Sequence, residues 1–201
     1  MQKPVIGISV GDLNGVGLEV IIKTFSDTRM MDLCTPVIFA SQKLMNSVRK
    51  SVPDTPFSFT VIKDFEKLDL KAVNVFSCWE DEVNLQPGQL TDVGGKYAVR
   101  SLMVAVQCLK DGQIDALVTA PLDKRNTKIQ DFNYTGHTPY LKDAFGAKDV
   151  LMLLYSHDLR VALATEHVPI SNVAGMITRE LLTSKINLLT TTLKKDFGID
   201  K

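Results

Sequence analysis

Short apolar segments alternate with longer amphipathic segments along this chain. Five of the short segments are rich in β-branched or aromatic residues and predict buried strands: Pro4–Val10, Pro36–Ala40, Ser58–Ile62, Val73–Ser77 and Asp115–Ala120. A glycine-rich turn at 11–17 leads into a helix predicted over 18–25. Ser41 is a good N-cap for a second helix that runs to about Lys50. This alternation predicts an α/β fold with a mostly parallel sheet and flanking helices.

The clearest amphipathic pattern runs from Thr91 to about Lys110, and Gly112 is a suitable residue to end that helix. Apolar residues recur in it at three- and four-residue steps and are expected to share one face: Val99, Leu102, Met103, Val106 and Leu109. A last helix is predicted after Thr178, with a buried stripe made of Leu182, Ile186, Leu189 and Leu193.

Two more strand candidates, Val150–Tyr155 and Leu159–Thr165, are separated only by Ser156, His157 and Asp158. A connection this short favours a β-hairpin, so the pair is predicted to be antiparallel. The sheet is therefore expected to be mixed at one place.

Composition supports a globular protein and removes several classes of partner. The chain has 201 residues, of which 45% are hydrophobic and 23% charged, as in ordinary soluble domains. Its 23 basic residues balance 23 acidic ones, so it lacks the basic footprint of a nucleic-acid-binding protein. Cys34, Cys78 and Cys108 are widely spaced, which favours a reducing compartment over a disulfide framework. Because neither a signal peptide nor a membrane-spanning run is recognisable, a cytoplasmic protein is expected.

Two loops that follow predicted strands are candidate anion sites. The sequence GDLNGVG at 11–17 leads to a helix N-terminus, whose free N–H groups favour an anion. Its spacing is neither the dinucleotide fingerprint nor the P-loop, so a simple tight turn stays open. In VTAPLDK at 118–124, Lys124 could bind a phosphate or carboxylate as a point charge. The alternative for Lys124 is a solvated lysine at the start of a short helix.

Histidines mark two further candidate loops. The sequence YTGHT at 134–138 is a dense hydrogen-bonding cluster around His137, although a helix cap with Thr138 is the alternative. The sequence ATEHVP at 164–169 places His167 just after a strand, where a metal ligand could lie, but one histidine does not make a metal site. His157, in the hairpin turn, is expected to face solvent. No reaction follows from these residues alone.

Taken in order, four segments of the chain resemble one enzyme family. They are GDLNGVGLE at 11–19, ALVTAPLDK at 116–124, YTGHTPYL at 134–141 and RVALATEHVPI at 160–170. They are similar to the family motifs GDPAGIGPE, LVTAPINK, FTGHTEFL and RVALATTHLPL. Each motif alone is weakly specific, whereas four in the same order and spacing are strongly specific. The family is 4-hydroxythreonine-4-phosphate dehydrogenase of the vitamin B6 pathway, with its close relatives.

The resemblance implies a homodimer with a fold similar to isocitrate and isopropylmalate dehydrogenases. Two α/β domains are expected, at 1–125 and 126–201. The reaction implied is oxidation of a phosphorylated hydroxy-amino acid, 4-phosphooxy-threonine, by NAD or NADP, followed by loss of carbon dioxide. A divalent metal (zinc, magnesium or cobalt), held by three histidines, would act as a Lewis acid.

The same resemblance assigns site residues by their position in the motifs. His137 and Thr138 match the substrate-binding pair of the family, and His167 matches its first metal ligand. Lys124 and Asp12 match positions in the cleft-facing loops and are expected to be catalytic. No cofactor-binding residue is identified.

The chain also departs from the family pattern. Leu13-Asn14 replaces Pro-Ala in the first loop, so a more flexible loop entrance is expected. Pro139 replaces a glutamate, which keeps phosphorylated threonate or erythronate open as substrates.

The largest departure from the family is length. The family motifs that supply the second and third metal histidines have no counterpart in residues 1–201. The sequence is therefore expected to be an N-terminal fragment whose C-terminal part is missing, catalytically impaired and with apolar sheet faces exposed. A non-catalytic truncated paralogue that binds a phosphorylated ligand and a phosphate acyltransferase stay open as alternatives.

Overall fold

The computed structural model describes residues 3–128 and 132–199. The chain forms two compact units, Met1–Leu141 and Lys142–Lys201. The domain boundary expected after residue 125 stays a prediction.

The first unit is built on a five-stranded parallel sheet. Its strands are β1 Val5–Ser9, β2 Thr35–Ala40, β3 Thr60–Ile62, β4 Asn74–Ser77 and β5 Ala116–Thr119, and their order across the sheet is β3-β4-β2-β1-β5. The predicted α/β class with a mostly parallel sheet is therefore confirmed. β3 is shorter than predicted because Ser58 and Phe59 precede its pairing with β4.

Helices and one 3₁₀ turn connect these strands or follow the last of them. The turn is Phe65–Lys67, and the helices are α1 Gly17–Phe25, α2 Met30–Leu33, α3 Gln42–Ser51, α4 Asp92–Lys110, α5 Lys124–Thr127 and α6 His137–Ala144. The cap predicted at Ser41 is confirmed, since its hydroxyl accepts a bond from the Leu44 N–H at 3.1 Å. Thr91, where the helical pattern begins, also acts as a cap, because its hydroxyl accepts a bond from the Gly94 N–H at 3.0 Å.

The core of the first unit lies on both faces of the central strand β2, which is buried along its whole length. Val99, Leu102 and Val106 of α4 are buried, as the helical pattern predicts. The residues of α4 that belong to the core cluster around β2 are Tyr97, Ala105 and Cys108. The prediction for Met103 is wrong, since its side chain is 51% exposed. Small residues of α4 on the inner side, Ala105 among them, fill that contact instead.

Near its β5 edge, one face of the sheet is left open by the described residues. The opening is a cavity of about 400 Å³ between α1 and β5, here called the apolar groove. Its lining includes Ile8, Val16, Val20, Phe25 and Val118. Val16, Val20 and Val118 are each more than half exposed. The expectation of an exposed apolar sheet face is confirmed.

The second unit contains an antiparallel strand pair and two helices. These elements are β6 Leu153–Tyr155, β7 Arg160–Ala162, α7 Ile170–Met176 and α8 Arg179–Phe197. The predicted hairpin is confirmed, but it forms a sheet of its own rather than an antiparallel part of the larger sheet. Thr178 caps α8 as predicted, and Gly198, at φ +64°, ends it. Asp200 and Lys201 lie outside the described residues.

The buried stripe predicted for α8 is partly wrong. Leu182 and Ile186 are exposed, while Leu189 and Leu193 are half-buried. The neighbouring face is turned inward instead, because Lys185 forms an ion pair with Asp149 at 2.7 Å and also donates to the Val150 carbonyl. No helix within the described ranges is long and apolar enough to cross a membrane.

Candidate functional site

The carboxyl ends of β1 and β5 lie side by side, with Ser9 paired to Thr119. In the sheet, β1 is flanked by β2 on one side and by β5 on the other, so the strand order reverses at β1. In open α/β sheets, the crevice at such a reversal of strand order is where ligands bind. Two predicted candidate loops, one at 11–16 and one at 120–123, meet at this place.

Glycines bring these two loops into backbone contact. Gly11 has φ +67°, and a Cβ atom on it would lie 2.1 Å from the Pro121 carbonyl oxygen. That same oxygen accepts a hydrogen bond from the Asp12 N–H at 2.8 Å. At the start of α1, a Cβ on Gly17 would lie 2.9 Å from the Cβ of Ala120. A side chain at position 11 or 17 would therefore separate the two loops.

A surface depression of about 480 Å³ opens where the loops meet, and its lining includes Asp12, Asp123 and Lys124. Asp123 caps α5 and forms an ion pair with Arg125 at 2.7 Å. Hydrogen bonding from Arg125 lowers the pKa of Asp123 to about 2. Lys124 has no carboxylate partner among the described residues. Its ammonium group can therefore receive an anion, the role proposed from the sequence.

Lys124 also lies against the 134–138 loop. Its Cε is 3.5 Å from the position that a Cβ on Gly136 would take. His137 follows as the first residue of α6, and its Nε2 is buried without a hydrogen-bond partner in the described part of the chain. Burial lowers the pKa of the His137 imidazole below its ordinary value of 6.5, and the charge on Lys124 lowers it further. The imidazole is therefore neutral at neutral pH.

Three aromatic rings surround this loop in sequence and pack on one another. The ring centroids of Phe132, Tyr134 and Tyr140 lie 5.1 to 5.2 Å apart. Phe132 is buried, so the cluster anchors the segment on both sides of His137. Thr138, the second predicted substrate-binding residue, is half-buried on the first turn of α6.

The first turn of α4 approaches the site through two successive glycines. A Cβ on Gly94 would lie 2.5 Å from Oδ1 of Asp12, and a Cβ on Gly95 would lie 2.3 Å from the Asn126 carbonyl oxygen in α5. Asn126 in turn donates to the Thr91 carbonyl at 3.1 Å. This contact was not predicted from the sequence, although a glycine pair inside an amphipathic helix was the available signal.

The flexible entrance expected for the 11–16 loop stays a prediction, and the structure adds a restraint at Asn14. Asn14, which stands where the family has alanine, is buried, and its side chain is hydrogen-bonded to the segment at 86–91. These bonds hold the loop where a proline would otherwise stiffen it.

In the second unit, His167 is exposed and lies after β7 with φ +56°. A positive φ is uncommon for a residue with a Cβ, and such strain is concentrated at functional sites. The neighbouring Glu166 has a buried Oε2 without a partner in the described chain. His157 is exposed in the hairpin turn, as predicted.

The described residues do not complete a metal site. Within 3–128 and 132–199, no group of three or more His, Cys, Asp or Glu residues is arranged to hold a metal ion. Protein metal sites normally need about three protein ligands. The role of His167 as a metal ligand stays a prediction.

Comparison with known proteins places this architecture in a family. Residues 32–201 match the family described as pyridoxal phosphate biosynthetic protein PdxA. This chain belongs to the PdxA family. Among curated relatives of this PdxA chain is a 4-hydroxythreonine-4-phosphate dehydrogenase of Bacteroides thetaiotaomicron, 39% identical over 96% of the chain and 53% of the relative. A Clostridium botulinum relative, provisionally named D-threonate 4-phosphate dehydrogenase, is 27% identical over 89% of the chain and 54% of its own length.

A solved structure of similar fold extends the comparison. The crystal structure of a 4-hydroxythreonine-4-phosphate dehydrogenase from Burkholderia phymatum matches with a TM-score of 0.85 at 29% identity, over 99% of this chain and 60% of that one. The PdxA chain thus spans about half the length of the curated relatives it matches.

Proposed function

We propose that this PdxA chain forms the substrate-binding part of an NAD- or NADP-dependent dehydrogenase. The substrate is 4-phosphooxy-threonine, which is oxidised and decarboxylated in pyridoxal phosphate biosynthesis by a homodimer. The observation that carries the proposal is the placement of Lys124, a cation without a described carboxylate partner, beside the unpartnered Nε2 of His137. The names of the relatives support the same substrate class.

The chemistry of the two side chains suits a phosphorylated hydroxy acid. Lys124 binds the phosphate or the carboxylate through its ammonium group, as a point charge. A neutral His137 hydrogen-bonds the substrate through Nε2, and the Thr138 hydroxyl adds a second polar contact at the N-terminus of α6. Asp12 accepts a hydrogen bond from a hydroxyl or ammonium group of the substrate and is the proposed base at this edge of the sheet.

The nicotinamide supplies hydride acceptance and a divalent metal supplies Lewis acidity to this reaction when each is bound. His167 is the one residue proposed as a metal ligand. The remaining metal ligands would have to come from outside the described residues.

Calorimetric titration of the purified chain with 4-phosphooxy-L-threonine tests the proposal. Lys124→Met and His137→Gln should each weaken binding by about tenfold or more, the usual effect of losing one hydrogen bond with a charged group. Lys128→Met is the matched control, because Lys128 is exposed, lies one helical turn from Lys124 and does not line the depression. The proposal fails if binding is not saturable, or if all three variants bind like the parent chain.

Phosphorylated threonate is the second candidate substrate. It is favoured by Pro139, which replaces a glutamate beside His137 and Thr138, and by the name of the Clostridium botulinum relative. Titrating both compounds and following NADH or NADPH absorbance separates the candidates. Tighter binding and turnover of the threonate would displace the first substrate, while binding without turnover would favour the non-catalytic paralogue.

A further inference from the structure

The segment at 78–91 crosses the carboxyl edge of the sheet without forming a helix or strand and then enters α4. Its last part, 86–91, lies beside the 11–16 loop. The Gly88 N–H donates to the Asn14 carbonyl at 2.8 Å, so the two segments are in direct backbone contact.

The side chain of Asn14 makes most of this contact. Its Oδ1 accepts from the Gln86 N–H at 2.8 Å. Its Nδ2 donates to the Gln89 carbonyl at 3.0 Å and to the Thr91 hydroxyl at 2.9 Å. Asn14 is 7% exposed, so these bonds are shielded from water, and each unmet one would leave a buried polar group.

The bond to Thr91 extends the contact into α4. The Thr91 hydroxyl accepts from Asn14 and also from the Gly94 N–H, so one oxygen serves the loop and the helix cap. At the same turn, Asp12 packs so closely on Gly94 that a Cβ there would overlap its carboxylate. The Asn14 N–H in turn donates to Oδ1 of Asp12 at 3.3 Å.

Leu13, next to Asp12 in the loop, is buried in the core of the first unit and anchors the loop through apolar contacts rather than through Asp12 itself. Gly15 and Val16 are exposed, and a Cβ on Gly15 would meet only Asp12 itself, at 3.4 Å and beyond. The described bonds that hold the loop from outside are those of Asn14 and the bond from the Asp12 N–H to Pro121.

We propose that Asn14 is a positioning residue that holds the Asp12 carboxylate at the rim of the depression, by fastening the 11–16 loop to the 86–91 segment and to the cap of α4. The inference rests on the proposed function, since it assigns to Asp12 a contact with substrate. Asn14 itself does not line the depression.

Amide hydrogen exchange of the ligand-free chain tests the positioning directly. Asn14→Ala should speed exchange at least about tenfold at Gln86 and at residue 14, whose N–H contacts Asp12. Thr91→Val should likewise speed amide exchange at residue 14. Thr91→Asp keeps an acceptor for the Asn14 side chain and for the Gly94 N–H, so exchange at residue 14 should stay as slow as in the parent chain. Unchanged exchange at residue 14 in Asn14→Ala would overturn the proposal. This outcome does not depend on any ligand.

Affinity for 4-phosphooxy-L-threonine tests whether Asn14 acts through Asp12. Asn14→Ala and Asp12→Asn should each weaken binding, and the double variant should bind no more weakly than Asp12→Asn alone. Additive losses would overturn the proposal. If the parent chain does not bind the compound, the proposed function falls, and the exchange rates alone decide the role of Asn14. Ser41→Ala removes the cap of α3, which contributes no lining residue to the depression, so it should lower stability without changing affinity.

Discussion

The side chain of Lys124 lies across Gly136, with its Cε 3.5 Å from the position of a Cβ at residue 136. This contact brings an ammonium group from the start of α5 towards the imidazole of His137. Gly136, the residue before His137, is thus part of the site, because its missing side chain leaves the space that the Lys124 side chain occupies.

The contact predicts a measurable change in the titration of His137. Burial is the larger cause of its lowered pKa and Lys124 the smaller one. Lys124→Met should therefore raise the pKa of His137, yet leave it below 6.5. The shift of its imidazole Cε1–H signal with pH, assigned by its loss in His137→Gln, measures this. Lys128→Met should leave the curve in place, and an equal shift in that control would show that the effect is not local.

The close approach of the two loops predicts unequal tolerance of two neighbouring glycines. Gly11→Ala introduces a Cβ at positive φ and against the Pro121 carbonyl, and should lower the free energy of unfolding by about 2 kcal/mol or more. Gly15→Ala meets nothing closer than 3.4 Å and should change it little. Urea unfolding, followed by the fluorescence of the chain's single tryptophan, compares the two. Equal losses would contradict this account of Gly11.

The ion pair of Asp149 predicts a pH dependence in the second unit. Hydrogen bonding from Lys185 lowers the pKa of Asp149 from 3.8 to about 2. A lowered folded-state pKa stabilises the fold above the unfolded value, and the stabilisation is lost as the pH falls from about 4 through 2. Asp149→Asn should therefore speed amide exchange in α8 at pH 6, and the difference from the parent chain should close at low pH. Asp158→Asn, at an exposed position, should have no such effect, and a constant difference for Asp149→Asn at all pH values would refute the assignment.

The apolar groove predicts binding of hydrophobic dyes and self-association. Exposed apolar patches of this kind are uncommon on monomeric proteins and favour association. Val20→Ser and Val118→Thr should reduce both the fluorescence of bound anilinonaphthalene sulfonate and the sedimentation-detected oligomer. Val93→Ser removes a similarly exposed valine from α4, outside the groove, and serves as the control. If it reduces dye binding equally, the groove is not the binding surface.

Local signals in the sequence predicted local structure well. Ser41 and Thr178 each cap the helix that their sequence position indicates, because a capping side chain bonds to a backbone group only three residues away. The same holds for the hairpin around His157, where a short connection leaves few alternatives.

Contacts between distant residues were not predictable in this way. The period of α8 identifies Leu182 and Ile186 as one stripe, but only a neighbouring element can bury a stripe, and here Lys185 turns another face inward. Asn14 bonds to residues more than 70 positions away, so its sequence context indicated only the loss of a proline. For the candidate site, the motifs identified Lys124 and His137. Their proximity could not be predicted, because it depends on how the backbone folds between the two motifs.

The glycine pair at the start of α4 marks two positions where a substitution would alter the candidate site. Gly94 sets how near Asp12 can come to the helix, and Gly95 sets how near Asn126, and with it the short helix that begins at Lys124, can come to the same turn. Each of these close contacts exists only because the glycine has no side chain. A methyl group added at residue 94 would displace Asp12, and one added at residue 95 would displace Asn126 in the helix that begins at Lys124. A substitution in α4 would thus disturb the candidate site from a position that does not line the depression.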